Sequence, residues 1–340
     1  RLLAAGAVIV GRTNMTEFAY SGLGINPHHG TPRNAWDRAT GRIPGGSSSG
    51  AAVSVTDGMA VAAVGTDTGG SVRIPSALCG LTGFKPTARR VPMEGVLPLS
   101  TALDSVGPLA ASVRCCAIVD AVLAGQPIPP GTHADLQDAR LAIPTDVVLN
   151  DLDDTVAAAF ESACQRLAAA GARIRRIPMP EFAELPAINA KGTFTAAEAW
   201  AWHRGHIESR ASAYDPRVVS RIQLGAKITA ADFIELLAAR QRWIAAVQAR
   251  VAGFDAMLMP TVPQVAPRID ALVADEAAYF RANGLMLRNP TFINFLDGCA
   301  LSLPCHAPGQ APVGLMLAGV GGSDAHILAL GQAVETALGR

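Results

Sequence analysis

Charge is scarce in this sequence. Asp, Glu, Lys and Arg make up 16% of its 340 residues, and 28 basic side chains balance 28 acidic ones. A chain with no net charge has no electrostatic footprint for nucleic acid or an anionic membrane surface, so neither is expected as a partner. Long apolar runs are missing too. The longest candidates, such as 51–65, are broken by Gly, Pro or charge and fall short of the roughly 20 residues that span a bilayer. The six cysteines (Cys79, Cys115, Cys116, Cys164, Cys299 and Cys305) include no CxxC pair and no His at metal-ligand spacing. They read as small buried thiols in a reducing, cytoplasmic compartment, which excludes a disulfide scaffold and a zinc site. Lysine is rare: Lys85, Lys191 and Lys227 are the only three. No internal repeat or low-complexity tract is visible.

What is present is apolar bulk. Half of the residues are hydrophobic, ample for a large core. Residues 8–10 (Val-Ile-Val) form a short β-branched run, and residues 1–11 read as the end of a helix running into a strand, so the chain is expected to begin inside a domain. An irregular stretch rich in Gly, Pro, Asn and His covers 21–50, long enough to imply function. A helix at 51–58 and a buried strand at 60–64 follow, then a helix at 109–123. A strand at 139–144, an amphipathic helix at 154–170 (Val156, Phe160, Ala163 and Leu167 on one stripe) and a strand at 172–177 spell a βαβ unit. Helices are expected at 194–209, 216–224 and 230–251, strands at 255–259 and 312–318, and a closing helix at 324–338. The alternation predicts one α/β domain over 1–340, with a mixed, mostly parallel central sheet flanked by helices and a helical insertion at 190–252.

The chemistry concentrates between Gly45-Gly-Ser-Ser-Ser-Gly and Gly65-Thr-Asp-Thr-Gly-Gly-Ser-Val-Arg-Ile-Pro. Ser71 follows paired glycines after a buried strand. Such glycines let the backbone turn sharply, so that the N–H groups of Thr68, Gly69, Gly70 and Ser71 converge on one oxygen, as acyl transfer requires. A serine hydroxyl there is a weak nucleophile until a base takes its proton, and no His lies nearby in sequence. A second serine, from the Ser47-Ser-Ser cluster, relaying the proton to a lysine is one option among several. Ser48 also satisfies the G-x-S-x-G pattern, a cheap match in a Gly/Ser-rich loop without a strand before it.

These segments, with Cys79-Gly-Leu-Thr-Gly-Phe-Lys-Pro-Thr, resemble the amidase signature family without a gap. Gly11-Arg-Thr-Asn-Met-Thr-Glu-Phe, Leu103-Asp-Ser-Val-Gly-Pro-Leu and Pro312-Val-Gly-Leu-Met-Leu-Ala-Gly fit as well, whereas the helical middle is only loosely similar. The resemblance implies an amidase that needs no metal or organic cofactor and takes a small-molecule amide, in a homodimer. It implies Ser71 as the acyl-forming nucleophile and Ser47, on a cis peptide after Gly46, as the proton shuttle. The Thr68, Gly69, Gly70 and Ser71 N–H groups would be the oxyanion hole, and Asp67 and Arg73 an ion pair that shapes the loop. The family's base is a lysine upstream of all these motifs. Lys85 matches a structural position instead, so the chain reads as N-terminally truncated.

Substrate choice is expected from the C-terminal third. Residues 288–294 and 296–304 resemble the family's pocket-wall strand and turn. Amidotransferase glutaminase subunits carry an acidic residue just upstream of this Asn294; here 285–288 reads Leu-Met-Leu-Arg. Arg288 is the candidate to meet a carboxylate or polar acyl group, and Ser48 a further pocket residue. His28 and His29 are expected near the site mouth, His203 and His206 on a solvated helical face, and His306 near the pocket. The alternatives to a small-molecule amidase are the glutaminase subunit of a tRNA-dependent amidotransferase and a silent protein that keeps the fold.

Overall fold

The strand expected at 60–64 forms two residues later, as β1 (Ala62–Asp67), and it is the stem from which the Gly-Gly-Ser71 loop grows. The computed structural model describes residues 1–130 and 135–339. Helix α1 (Ser49–Thr56) precedes β1. Then come α2 (Arg73–Cys79), β2 (Thr82–Lys85), β3 (Ser105–Ala110), α3 (Val113–Ala124), β4 (Arg140–Pro144), α4 (Asp154–Ala169) and β5 (Arg173–Ile177). Helices α5 (Pro180–Ile188), α6 (Phe194–Arg210), α7 (Pro216–Gln223) and α8 (Ala230–Val251) follow without an intervening strand. The chain closes through β6 (Ala256–Pro260), α9 (Ile269–Ala274), α10 (Glu276–Phe295), β7 (Cys299–Pro304), β8 (Gly314–Gly319) and α11 (Asp324–Ala337).

The eight strands make one sheet in the order β1-β3-β2-β7-β8-β6-β4-β5. The expected βαβ unit is there: β4 and β5 pair in parallel over their full length, and β6 lies parallel on the other side of β4. The remaining pairings are antiparallel. The fold is α/β and the sheet is mixed, but it is not mostly parallel. The strands that carry the antiparallel half (β2, β3 and β7) are buried along their whole length, so they show no in–out alternation. The expected helix at 109–123 starts later, because Leu109 and Ala110 belong to β3 and Ser112 caps α3 by accepting from the Cys115 N–H.

Successive strand side chains enter opposite layers, as the pleat demands. Leu301, Leu315, Leu317 and Leu258 meet α3, α4 and α11 in one core; Met257, Met259, Ala300 and Met316 meet α5, α8 and α10 in the other. In the second core Phe182 stacks on Phe292 with centroids 4.1 Å apart, and the Trp243 indole donates to the Glu181 carbonyl at 2.6 Å. All six cysteines are free thiols, five of them buried. No helix among the described residues is long and apolar enough to cross a membrane.

Two further expectations fail. Residues 8–10 form no strand: Val8, Ile9 and Val10 are 84%, 56% and 71% exposed and pair with no neighbour, since β-branched side chains favour a strand only where a partner exists. Residues 288–294 are not a strand but the last turns of α10, with Pro290 inside the helix. The proline argues against a helix in sequence, yet the buried Asn289 side chain fixes this turn by donating to the Val148 and Pro260 carbonyls at 3.0 and 2.8 Å.

Helices α6 and α7 pack against each other through Gly225, in the short turn after α7. A Cβ at this position would lie 2.0 Å from the Ala196 carbonyl oxygen and 2.5 Å from the Trp200 Cβ. Gly225→Ala is expected to destabilise the protein by about 2–3 kcal/mol, read as a lower urea midpoint; an unchanged midpoint would show that this contact does not hold the helices together.

Candidate active site

The loop that follows β1 is shaped by one carboxylate. Asp67 is fully buried. Its Oδ1 accepts from the Gly70 N–H at 2.8 Å and from Arg73 Nη2 at 2.9 Å, and its Oδ2 from Arg73 Nε at 3.0 Å and the Val72 N–H at 3.2 Å. Asn294 of α10 closes the set, donating to Asp67 Oδ1 at 3.0 Å and to the Asp67 carbonyl at 3.1 Å, and accepting from Arg73 Nη2 at 2.6 Å. Burial pushes the Asp67 carboxyl up, but Arg73, Lys85 and Asn294 outweigh it and hold it well below the usual carboxylate range. The pair is the structural one expected from the sequence. Gly70 completes the turn at φ +128°, where a Cβ would meet the Pro290 Cβ at 2.6 Å.

This geometry sorts the expected N–H donors. The Gly70 N–H is spent on Asp67, so it does not face a ligand. Among the described residues no acceptor holds the N–H groups of Thr68, Gly69 or Ser71. Thr68, Gly69 and Ser71 line a cavity of about 180 Å³ together with Tyr20, Leu99, Asn189, Phe194, Arg221, Leu287 and Thr291, among others. Three donors, not four, are therefore open beside the Ser71 hydroxyl.

Ser47 arrives from the other strip of glycines. The Gly46–Ser47 peptide is cis, and the Ser48 N–H donates to the Ser71 carbonyl at 3.3 Å, which ties the two segments together. Gly46 has no room for a side chain, since a Cβ would lie 2.4 Å from the Gly24 nitrogen. The Ser47 hydroxyl is buried and has no hydrogen-bond partner among the described residues; neither does the Thr16 hydroxyl of the same loop. An unpaired buried hydroxyl costs about 1–3 kcal/mol, a cost that a site tolerates when the group has work to do.

Other expected residues lie elsewhere. Ser48 points at β1, its hydroxyl 3.4 Å from the Thr66 carbonyl, and is absent from the cavity lining. Arg288 faces away from the cavity and donates to the Asn150 carbonyl at 2.7 Å, because the helical turn of α10 that aims Leu287 and Thr291 inward turns position 288 outward. His306 sits in the turn after β7, where its Nδ1 accepts from the Val313 N–H at 3.3 Å. His28 pairs with Glu17 at 3.0 Å. His203 is not solvated: it is buried, its Nδ1 lies 3.0 Å from the Tyr214 hydroxyl, and burial pulls its pKa down to about 4, while His206 is exposed. Lys85 is walled in. Its Nζ donates to the Pro86 and Gly298 carbonyls at 2.8 and 2.7 Å, and burial lowers its pKa to about 8.

Sequence reasoning missed Arg221, the sole cation of the lining among the described residues. It comes from α7, inside the loosely similar helical stretch. Its guanidinium lies 4.2 Å over the Tyr20 ring and donates to the Tyr20 carbonyl, a contact 201 residues apart in the chain.

Residues 1–328 match the amidase family. The chain belongs to that family. A relative from Comamonas testosteroni, a 2-amino-5-chloromuconic acid deaminase, is 37% identical over 100% of this chain and 74% of its own length. A glutamyl-tRNA(Gln) amidotransferase subunit from Roseiflexus castenholzii is 33% identical over 98% of this chain and 74% of its own. Among solved structures, an amidase superposes with a TM-score of 0.87 at 33% identity, covering 98% of this chain and 76% of that one. The corresponding amidotransferase protein of Thermotoga maritima superposes with a TM-score of 0.83 at 29% identity, covering 98% and 75%. As an amidase, the chain is an amide-bond hydrolase.

Asp67→Ala leaves the Arg73 guanidinium buried without its counter-charge. The expected loss is on the order of 3–5 kcal/mol of unfolding free energy. In the wild type, the carboxylate's contribution is complete above its unfolded pKa of about 4 and is lost as pH falls through its lower folded pKa. Urea unfolding at neutral and acid pH checks both; a loss under about 1 kcal/mol, the scale of an exposed pair, would show that the pair does not organise the loop.

Proposed function

We propose that this amidase cleaves a small carboxamide that itself carries a carboxylate, through a seryl acyl-enzyme. One observation carries the reading: Ser71 opens onto a cavity where three backbone N–H groups are unpartnered, with Arg221 as the cation of the same lining. The Ser71 oxygen attacks the amide carbon, and the oxyanion that forms takes hydrogen bonds from the Thr68, Gly69 and Ser71 N–H groups. The Ser71 proton passes to Ser47, whose unpaired hydroxyl then hands its own to a base. Collapse of the tetrahedral intermediate breaks the C–N bond as the amine takes a proton back. Water repeats the relay to release the acid.

The lysine that the family resemblance assigns as base is none of the three in this sequence. Lys85 is enclosed by carbonyls, Lys191 pairs with Asp232 and Glu235, and Lys227 is exposed beyond α7. Arg221 replaces Arg288 as the group that meets a substrate carboxylate: one N–H is used on Tyr20, and the guanidinium fork keeps others to offer. The deaminase relative acts on a compound that its name describes as an acid, in keeping with this reading. Among the described residues no carboxylate side chain belongs to the cavity lining, which leaves a substrate ammonium without a counter-charge and argues against glutamine.

A fluorophosphonate is expected to label the intact protein and to leave Ser71→Ala unlabelled; equal labelling of both would exclude Ser71 as nucleophile. Arg221→Leu is expected to lower kcat/KM for a carboxylate-bearing amide by about 30-fold, the worth of a charged hydrogen bond, and to leave a neutral amide within about threefold. Parallel losses on both substrates would refute the carboxylate assignment.

A further inference from the structure

The donor loop has one anchor that the steps above do not use. The Thr68 hydroxyl donates to Asp104 Oδ1. Asp104 is buried, and its other oxygen, Oδ2, accepts from the Leu99 and Ser100 N–H groups at 2.9 and 3.0 Å. With both carboxylate oxygens already accepting, the hydroxyl proton of Thr68 is committed to Asp104 and is not offered to a substrate. On either side the loop backbone is pinned at Asp67, by Ser105 Oγ on its carbonyl at 3.0 Å and by the Gly70 N–H on its carboxylate. Between those pins, among the described residues, the backbone of Thr68 and Gly69 has only a long contact, Thr291 Oγ1 to the Gly69 carbonyl at 3.5 Å. The Thr68 side chain therefore carries the constraint.

Asp104 is itself held from the helical stretch. Glu198, on the α6 face one turn from the lining residues Phe194 and Thr195, takes three bonds from the 100–102 turn: Thr101 Oγ1 at 2.9 Å, the Ala102 N–H at 3.3 Å, and the Ser100 hydroxyl. Arg240 of α8 grips the same turn through the Ala102 carbonyl at 3.1 Å and reaches the Phe295 carbonyl at 2.9 Å. Leu99 and Leu103, at the two ends of this turn, line the cavity.

We propose that Asp104 is a positioning residue for amide hydrolysis, fixing the open N–H groups of Thr68 and Gly69 through the Thr68 hydroxyl, with Glu198 as the brace that ties this loop to the helical stretch. The proposal rests on the reading of Ser71 as nucleophile and of those N–H groups as oxyanion donors. Donors fixed in advance stabilise developing charge at no cost in reorganisation, so loosening them lowers the rate of the bond-forming step more than it weakens binding.

Fluorophosphonate labelling reads that step. The Ser71 oxygen forms a bond to phosphorus, fluoride leaves, the serine proton enters the relay, and the phosphoryl oxygen takes the place of the oxyanion. In the intact protein, Thr68→Val is nearly isosteric and removes only the hydroxyl. It is expected to lower the maximal labelling rate about tenfold, equivalent to about 1.4 kcal/mol, with the half-saturating probe concentration within about twofold. Thr68→Ser, which keeps the hydroxyl, recovers most of the loss. Asp104→Asn slows labelling in the wild-type background and adds less than about twofold on top of Thr68→Val, as residues acting through one bond must. Glu198→Gln gives a smaller loss of the same kind. A Thr68→Val rate equal to wild type, a loss confined to probe affinity, or multiplicative losses for Thr68→Val and Asp104→Asn would each overturn the proposal. Should Asp104→Asn not fold, the Val and Ser variants at Thr68 decide alone. Failure of the underlying reading has a different signature: labelling that survives Ser71→Ala.

Discussion

The buried ion pair between Asp67 and Arg73 is the constraint on which the rest of the site depends. Two charges removed from water are tolerable only when every remaining donor and acceptor is matched, and here the matching builds the loop. The guanidinium fork, the Gly70 and Val72 N–H groups and the Asn294 amide all converge on one carboxylate. Because Asp67 takes the Gly70 N–H, the chain turns at Gly70, and the N–H groups of Thr68, Gly69 and Ser71, which line the cavity, are left without a partner among the described residues. The same interaction ties the loop after β1 to the end of α10, and so joins the front of the chain to the wall of the cavity.

The helices between β5 and β6 do more than enlarge the molecule. Three of their side chains reach the loops around Ser71 from different directions: Arg221 holds the Tyr20 backbone, Glu198 holds the 100–102 turn, and Arg240 bridges that turn to the end of α10. Each is a charged group against backbone or hydroxyl partners, an arrangement that is directional and strong where water is thinned. Cavity walls on both sides of Ser71 thus share supports in one helical layer.

Much of the site was legible because its residues are close in sequence. The Gly69-Gly70-Ser71 turn, the Asp67–Arg73 pair and the Gly46–Ser47 segment each lie within a few positions, so spacing and turn chemistry constrain their geometry. The βαβ unit at β4-α4-β5 was legible for the same reason, through the stripe of Val156, Phe160, Ala163 and Leu167. What spacing hid was of two kinds. Strands buried on both faces, such as β3 and β7, carry no alternation to read, and the sheet consequently turned out less parallel than expected. Side chains such as Arg288, Ser48 and His306 are expected at or near the pocket, yet the helical phase of α10 turns Arg288 outward, Ser48 is aimed at β1 and His306 is held in the turn after β7.

The sequence by itself determined the family, the Gly69-Gly70-Ser71 turn and the ion pair that shapes it, since these rest on local patterns of Gly, Ser, Asp and Arg with little freedom to be anything else. Only the tertiary structure decided which N–H groups are left unpartnered, which arginine lines the cavity and what braces the loop at Thr68. Those outcomes depend on contacts between residues tens to hundreds of positions apart, from Thr68 with Asp104 to Tyr20 with Arg221. Such contacts are set by how layers pack around the sheet, and no local pattern records them.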